Sequence, residues 1–329
     1  MILKNIKIMN LASLLFLIFY KKELILFLVL ILVFFINSNI SPYFLDLENL
    51  VDSTFLFSEK AIVALIMTLI IISRQIDLSV ASIISISACV FGYCSSLEIP
   101  LFFTLLFTLT CGLLCGAFNG WLITYYEIPS IIVTIGTMSL FRGLSYVILE
   151  DQYYNNFSSS ILELGNGYFY NLIPYSFLTF LILSGLFYVF LHRTYFGKSI
   201  FAIGNNPEAA KYSGIDVKKY TFILFTISGL FSSVAALFLS GRLSSIRPNI
   251  ALGWELEIIT MVVFGGVYIY GGAGSIFGVF LSIIILGMVT FGLSLLNVPG
   301  VGIIIITGFL LIFTVALSTF IKNFSENKI

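Results

Sequence analysis

The stretch RTYFGKSIFAIGNNPEAAKYSGIDVKKY, residues 193–220, is the longest strongly polar interruption in an otherwise apolar chain. It contains five basic residues, whereas the sequence on both sides is apolar enough to lie in lipid. A polar, basic segment between two apolar runs is typical of a connection that lies at a membrane surface.

The middle of this segment carries the signals of a short helix. Pro207 suits a first helical turn, Asn206 is a good N-cap, and Glu208 favours the positive end of the helix dipole. Gly214 is well placed to end the helix. We therefore predict an amphipathic helix over about 206–213. The alternative at this stage is an ordinary solvated loop between two spans.

The composition of the whole chain defines its class. Of its 329 residues, 59% are hydrophobic and 10% are charged, whereas soluble domains contain about 25% charged residues. We therefore expect an all-α integral membrane protein with one transmembrane domain over residues 1–329. The formal net charge is zero, and the chain has no basic tract, so nucleic acid is not an expected partner.

About ten stretches have the length of a membrane-spanning helix, which needs roughly 20 apolar residues. We predict spans at about 24–40, 58–73, 80–97, 101–125, 129–149, 174–191, 221–240, 255–270, 275–296 and 301–321. Residues 1–23 have no small-residue cleavage site after their apolar run, which predicts an uncleaved cytoplasmic or interfacial segment.

The basic residues predict the orientation. With a cytoplasmic N-terminus, 12 of the 16 Lys and Arg residues fall on the inner side. Only Lys60, Arg142, Arg242 and Arg247 then remain for the outer side or for outer span ends. The positive-inside rule therefore places both termini and the segment 193–220 in the cytoplasm.

The chain lacks the motifs of an energy-converting or catalytic protein. Gly197-Lys198-Ser199 resembles part of a phosphate loop, but His192 occupies the position of its first glycine. The four cysteines lie in apolar runs, and His192 is the single histidine, so we expect no metal site. Energy for any uphill transport must come from an ion gradient or from a partner chain.

Several polar residues in or beside the spans are candidates for a solute path or a gate: Asp77, Ser79, Thr134, Thr137, Arg142, Glu255 and Glu257. Each has a structural alternative. Asp77 could be the N-cap of the following span, and the two glutamates could be anchors at the outer surface. The hydroxyls could bond their own helix carbonyls. Arg142 needs a carbonyl or carboxylate partner in either case.

Glycines at intervals of four mark a helix-packing face. Gly112, Gly116 and Gly120 recur along the predicted span 101–125, so a second helix can approach closely there. Close approach of the backbone to a solute is the alternative explanation.

Four separated blocks resemble a known family. They are MTLIIISRQIDLSVASI (67–83), IPSIIVTIGTMSLFRGLSYVI (128–148), FGKSIFAIGNNPEAAKYSGI (196–215) and RPNIALGWELEIITMVVFGGVYIYGGAGSIFGV (247–279). They are similar, in the same order, to the sugar-type ABC importer permeases, which include ribose, xylose, rhamnose and autoinducer-2 permeases. The stretches 41–50, 57–65, 73–82, 252–266 and 287–300 are most similar to the rhamnose-type branch. One departure is Arg74-Gln75, where sugar permeases commonly have Gly-Gly.

The resemblance implies a ten-span permease that works as a homodimer or heterodimer in the bacterial inner membrane. It implies a cytoplasmic coupling loop, 193–220, whose helix docks into an ATP-binding subunit. The matching residues are Gly204, Asn206, Pro207, Glu208, Ala209, Ala210, Lys211 and Gly214. ATP and Mg would then be bound by that partner and not by this chain, and a periplasmic binding protein would deliver the sugar.

Three function classes follow. The first is the permease subunit of an ATP-driven monosaccharide importer, with rhamnose as the leading substrate and autoinducer-2, ribose and xylose as rivals. The second is a gradient-driven secondary sugar carrier. The third is a membrane enzyme, for which the sequence offers no paired catalytic residues.

Overall fold

The computed structural model describes residues 22–150, 153–155 and 157–326, and these form a mostly helical protein. The predicted N-terminal segment 1–23 lies outside the described residues, apart from Lys22 and Glu23 at the start of the first helix.

The described helices follow in order. The first eight are α1 (Lys22–Ile40), α2 (Leu47–Ser53), α3 (Ser58–Ile72), α4 (Val80–Ser96), α5 (Leu101–Tyr125), α6 (Ser130–Leu149), α7 (Ser159–Asn166) and α8 (Tyr175–Arg193). The remaining six are α9 (Tyr195–Asn205), α10 (Pro207–Tyr212), α11 (Val217–Leu243), α12 (Trp254–Phe264), α13 (Ile276–Leu295) and α14 (Gly300–Glu326). Short 3-10 helices, Pro42–Leu45 and Thr54–Leu56, flank α2.

The connection between α6 and α8 contains more structure than the sequence predicted. Besides α7 it holds an antiparallel hairpin of β1 (Tyr168–Phe169) and β2 (Ile173–Pro174). A further isolated bridge joins Tyr154 to Ile246. Within the described ranges the regular structure is therefore helical apart from one small hairpin, which the all-α prediction did not include.

Within the described residues, six helices are long and apolar enough to cross a membrane: α1, α5, α6, α8, α11 and α13. A seventh crossing results if Leu47–Leu56 and α3, which meet at an angle of 52°, act as one broken span. The helix Val80–Ser96 and the segment Gly300–Ala316 of α14 are shorter apolar stretches. The chain is thus a multi-pass membrane protein, while the prediction of ten crossings stays a prediction.

The predicted span 255–270 is wrong at its C-terminal end. Helix α12 has 11 residues and ends at Phe264, before Gly265 and Gly266. Gly266 has a φ of 84°, a left-handed conformation that stops a helix. At about 1.5 Å per residue, such a helix is roughly 16 Å long and shorter than a bilayer core.

Helix α3 is the centre of the molecule. Every residue from Ala61 to Ile72 is buried, so the helix is apolar on all sides and surrounded by protein. It packs against α8, α11 and α12, and more weakly against α9 and α13. The two ends of α3 therefore touch most of the connections that carry the candidate site residues.

The glycine face on α5 packs against α11, as the spacing predicted. A methyl group on Gly112 would overlap the carbonyl of Gly229, and one on Gly116 would overlap the carbonyl of Phe225. On the facing helix, a methyl on Gly229 would overlap the carbonyl of Gly112. The two backbones are in direct contact, so helix packing explains these glycines.

We expect Gly229→Leu to destabilise the protein strongly, because the obstacle is backbone that no rotamer change can move. Overpacking in a protein interior typically costs about 1–3 kcal/mol, and separating two helices costs more. The measurement is thermal unfolding of the purified protein in detergent. Gly136→Leu is the matched control, since nothing lies within 4 Å of its added Cβ. Equal losses in both variants would contradict the packing role.

Candidate functional site

The helix predicted over about 206–213 is observed as α10. The side-chain oxygen of Asn206 accepts hydrogen bonds from the backbone N–H groups of Glu208 and Ala209, both at 3.1 Å. Pro207 occupies the first turn. At the other end Gly214 has a φ of 85°, and the N–H of Ile215 bonds the carbonyl of Ala210 at 3.1 Å. This is the glycine-capped ending expected from the sequence.

Helix α10 presents one face outward. Glu208, Ala209 and Lys211 are exposed, and Tyr212 is 91% exposed. Ala210, on the opposite face, is buried and packs the helix against the rest of the protein. A small helix that exposes charged and aromatic side chains while one alanine holds it in place is suited to dock against another protein.

The preceding helix, α9, was missed in the sequence. Thr194 caps it, accepting a hydrogen bond from the N–H of Gly197 at 3.3 Å. Ile200 and Ile203 are buried, whereas Lys198 is exposed. This amphipathic pattern was the available signal, but the density of polar residues around it favoured a loop.

Gly204 seats the end of α9 directly on the core. A methyl group there would overlap the carbonyl of Ile72, the last residue of α3, and the backbone nitrogen of Gly272. The N–H of Gly272 in turn donates to the carbonyl of Ile72 at 2.9 Å. The segment that carries α10 is therefore joined, backbone to backbone, to the end of α3 and to the turn before α13.

Arg74 adopts the conformation for which glycine is usually required. Its φ is 68°, its N–H bonds the carbonyl of Ile71 at 2.9 Å, and the N–H of Gln75 bonds that of Ile70 at 3.0 Å. This left-handed ending of α3 costs a non-glycine residue about 1 kcal/mol. The departure from the family's Gly-Gly pattern thus leaves the turn intact.

Asp77 is fully buried in the linker between α3 and α4. Its carboxylate accepts hydrogen bonds from the N–H of Ser79 at 2.9 Å and from the hydroxyls of Ser79 at 2.6 Å and Ser228 at 2.9 Å. Asn119, which the sequence did not single out, donates to the Ser79 hydroxyl at 2.7 Å. The linker is thus joined to α5 through Asn119 and to α11 through Ser228.

The prediction that Asp77 is the N-cap of the next span is wrong in its position. Ser79 is the residue that precedes the first turn of α4. Asp77 lies two residues earlier and reaches across to α11 through Ser228. A buried carboxylate needs several hydrogen bonds to replace water, and the bonds from Ser79 and Ser228 supply them.

Ser130 and Thr134 hold α6 against the same linker. The Thr134 hydroxyl bonds the Ser130 carbonyl in its own helix at 2.8 Å and lies 3.4 Å from the Ile76 carbonyl. The Ser130 hydroxyl accepts from the N–H of Ile76 at 3.2 Å. Thr137 bonds the carbonyl of Thr134 at 3.5 Å. Both threonines thus satisfy helix carbonyls, the structural alternative expected for them.

Arg142 has carbonyl partners. Its guanidinium donates to the carbonyls of Pro248 at 2.8 Å and Ile250 at 2.7 Å, and to that of Ala81 at 3.3 Å. The Ser85 hydroxyl also donates to the Pro248 carbonyl, at 2.8 Å. Together they hold the connection between α11 and α12 against α4 and α6.

The glutamates at the start of α12 differ from each other. Glu255 is half-buried, but Glu257 forms an ion pair with Lys60 of α3 and is only 18% exposed, so its prediction as a surface anchor is wrong. The adjacent Glu59 is buried and pairs with Arg242 of α11 at 2.6 Å. The ion pairs formed by Glu59, Lys60 and Arg242 were not predicted. Two charges at the start of an apolar run were the available signal.

The candidate residues therefore divide between the two ends of α3. Near Ile72 lie the coupling segment and the Asp77 cluster. At the Glu59 end lie the ion pairs to α11 and α12. Arg142 binds the connection that joins those two helices. Among the described residues no group of three His, Cys, Asp or Glu side chains is arranged to hold a metal ion.

The loop between α5 and α6 lies at the end that carries α9 and α10. Glu127 in this loop forms an ion pair with Lys218 at 2.6 Å. The hydrogen bond from Lys218 and its charge hold the pKa of the Glu127 carboxyl below its usual value. Both side chains are more than half exposed, so the pair contributes little to stability.

These features define a class: a multi-pass membrane protein with an exposed short helix seated on its core. Residues 49–315 match the family model described as the permease component of a branched-chain amino acid transport system. The match covers most of the chain, which therefore belongs to this permease family of ABC importers.

Two relatives illustrate the membership. The chain is 30% identical to the ribose import permease protein RbsC of Haemophilus influenzae, over 83% of this chain and 85% of that protein. It is 34% identical to the autoinducer 2 import system permease protein LsrD of Escherichia coli, over 90% of this chain and 91% of that protein. No solved structure gives a significant match.

We expect Arg142→Ala to destabilise the protein by about 2–4 kcal/mol, because it removes the guanidinium bonds to the carbonyls of Pro248, Ile250 and Ala81, of which Pro248 keeps the Ser85 hydroxyl. Thermal unfolding in detergent measures this. Ser139→Ala on the same helix is the control, since the exposed Ser139 hydroxyl bonds only the carbonyl of Ile135 at 3.4 Å. Unfolding of Arg142→Ala at the wild-type temperature would show that the carbonyls need no donor.

Proposed function

We propose that this chain is the transmembrane subunit of an ATP-driven importer for a small neutral, sugar-like solute. The observation that carries the proposal is the exposed helix α10, capped at both ends and seated through Gly204 on the core. The similarity to ribose and autoinducer-2 import permeases supports the solute class. Ribose and autoinducer-2 fit as well as rhamnose, which rests on sequence resemblance alone.

The proposed arrangement in the membrane has ten crossings. Six or seven are made by the long apolar helices, and shorter helices make the rest. Both termini and the end that carries α9 and α10 face the cytoplasm. The basic residues Arg74, Arg193, Lys198, Lys211, Lys218 and Lys219 support this orientation, because all belong to that end or to the loops that reach it.

The proposed partners each have a place. An ATP-binding subunit, which carries ATP and Mg, docks on α10. A second permease chain completes the solute path, and a periplasmic binding protein delivers the solute to the opposite end. No cofactor is assigned to this chain.

Helix α10 would transmit movement by rigid contact. The contacts of Gly204 with Ile72 and Gly272 place the end of α9, immediately before the docking helix, against the backbone at the end of α3. From the end of α3 the displacement would pass to the Asp77 cluster and so to α5 and α11. Such coupling requires the nucleotide state to favour one arrangement of the pair over the other.

The opposite end would form the gate. Glu59 and Lys60 join α3 to α11 and α12, and Arg142 holds the connection between those helices. Opening toward the binding protein would require this set of contacts to rearrange together. A neutral solute needs hydrogen bonds or aromatic contacts, so these charges would stabilise the closed gate and would not bind the solute.

The test replaces Pro207 and Glu208 together by alanine. Pro207 is the first residue of α10, and Glu208 is exposed in its first turn. We therefore expect solute uptake and stimulated ATP hydrolysis to fall at least tenfold, while the amount of inserted protein stays constant. Glu48→Gln, an exposed glutamate at the opposite end of the protein, is the charge-matched control.

Normal uptake by the double variant would contradict the docking role. Uptake that survives without the ATP-binding subunit and collapses with an uncoupler would instead identify a gradient-driven carrier.

A further inference from the structure

A cleft of about 320 Å³ opens beside the docking helix. It lies where α9 begins, where α10 has ended and where α11 begins. Its lining residues are Tyr195, Phe196, Gly214, Ile215, Asp216, Lys219, Tyr220 and Ile223. The proposed function makes no use of this cleft.

The walls of the cleft are held in place by contacts between α9 and α11. The rings of Phe196 and Tyr220 stack with their centroids 4.6 Å apart. The Tyr220 hydroxyl donates to the Ser199 hydroxyl at 3.1 Å. The aliphatic side chains of Ile215 and Ile223 complete the apolar part of the lining beside the rings. A preformed apolar cleft with few polar groups is the usual form of a small-molecule or lipid site.

The lining of the cleft carries one basic and one acidic side chain, and the excess of positive charge comes from the surrounding segment. Lys219 lines the cleft and is exposed, and its ammonium forms no ion pair within the described part of the chain. Asp216 is the acidic lining residue, but its carboxylate caps α11 by accepting from the N–H of Lys219 at 3.0 Å. Residues 193–220 carry five basic and two acidic side chains, so the surroundings favour an anion.

The cleft lies at the depth of lipid headgroups. Helix α11 has 27 residues, and at about 1.5 Å per residue it is roughly 40 Å long, about 10 Å more than the hydrocarbon core. We assign this excess to the first turns, which carry Lys219 and Tyr220, because Lys218 beside them forms an exposed ion pair with Glu127. Tyrosines such as Tyr195 and Tyr220 are enriched at this boundary.

We propose that the cleft binds an anionic phospholipid from the leaflet at this end of the protein. The phosphate would pair with Lys219, and the upper part of one acyl chain would lie on Ile223, beside the stacked rings. Basic pockets beside transmembrane helices on the cytoplasmic side bind anionic headgroups in this way. The occupant would touch the Gly214–Ile215 turn that follows α10, and so stabilise the docking helix in position.

This inference uses the proposed orientation only to name the leaflet. Lipid binding at Lys219 does not depend on the transported solute or on ATP, so it can be measured separately from transport.

The experiment reconstitutes the full chain, with its ATP-binding partner, in nanodiscs of phosphatidylcholine containing increasing fractions of phosphatidylglycerol. Native mass spectrometry counts the phosphatidylglycerol molecules retained after extraction, and ATP hydrolysis is followed in parallel. Lys219→Gln is the test variant. Lys198→Gln is the control, because Lys198 is exposed on α9 but does not line the cleft.

We expect Lys219→Gln to retain phosphatidylglycerol at least fivefold less well than the wild type, and Lys198→Gln to match the wild type. Equal retention by all three proteins would overturn the proposal. Displacement of the lipid by millimolar glycerol phosphate would show that the site takes a free phosphate ester and would also overturn it. A third outcome would assign the cleft to the partner protein instead. In it, Lys219→Gln loses ATP hydrolysis in pure phosphatidylcholine but retains phosphatidylglycerol as the wild type does in the mixed nanodiscs.

Discussion

The contact of Gly204 with the backbone of Ile72 and Gly272 is the constraint on which the rest of the molecule depends. At this point a connecting segment, the central helix α3 and the turn before α13 meet with no side chain between them. Packed backbones deform little, so a displacement of α10 must move the end of α3. A flexible loop with the same polar residues could bind a partner but would not transmit its movement.

The apolar setting explains why the polar groups of this protein occur in small, bonded sets. Asp77 is surrounded by hydroxyls and a backbone N–H, and Arg142 by three carbonyls. An unsatisfied polar group in such an interior costs roughly several kcal/mol. Removing one member of a set therefore destabilises its remaining partners. The same bonds join separate helices at both ends of α3, and stability and conformational coupling therefore depend on the same residues.

The sequence predicted those features that depend on local chemistry. Asn206, Pro207 and Gly214 signalled α10 because capping acts within one or two turns, and Gly112 and Gly116 signalled a packing face because helix spacing is regular. The partners of Asp77 and Glu257 could not be predicted, since Ser228 and Lys60 are distant in the chain and become neighbours only through packing. Helix α12 was predicted too long because the apolar residues continue beyond the glycines that end it.

The central claim is that α10 contacts an ATP-hydrolysing partner. The direct measurement places a photoreactive amino acid at Ala209, which is exposed on α10, and irradiates the assembled transporter in membranes. Tyr43, 67% exposed near the opposite end, serves as the second position. We expect a covalent product with the ATP-binding subunit from position 209 and none from position 43. A product with that subunit from position 43 and none from position 209 would contradict it.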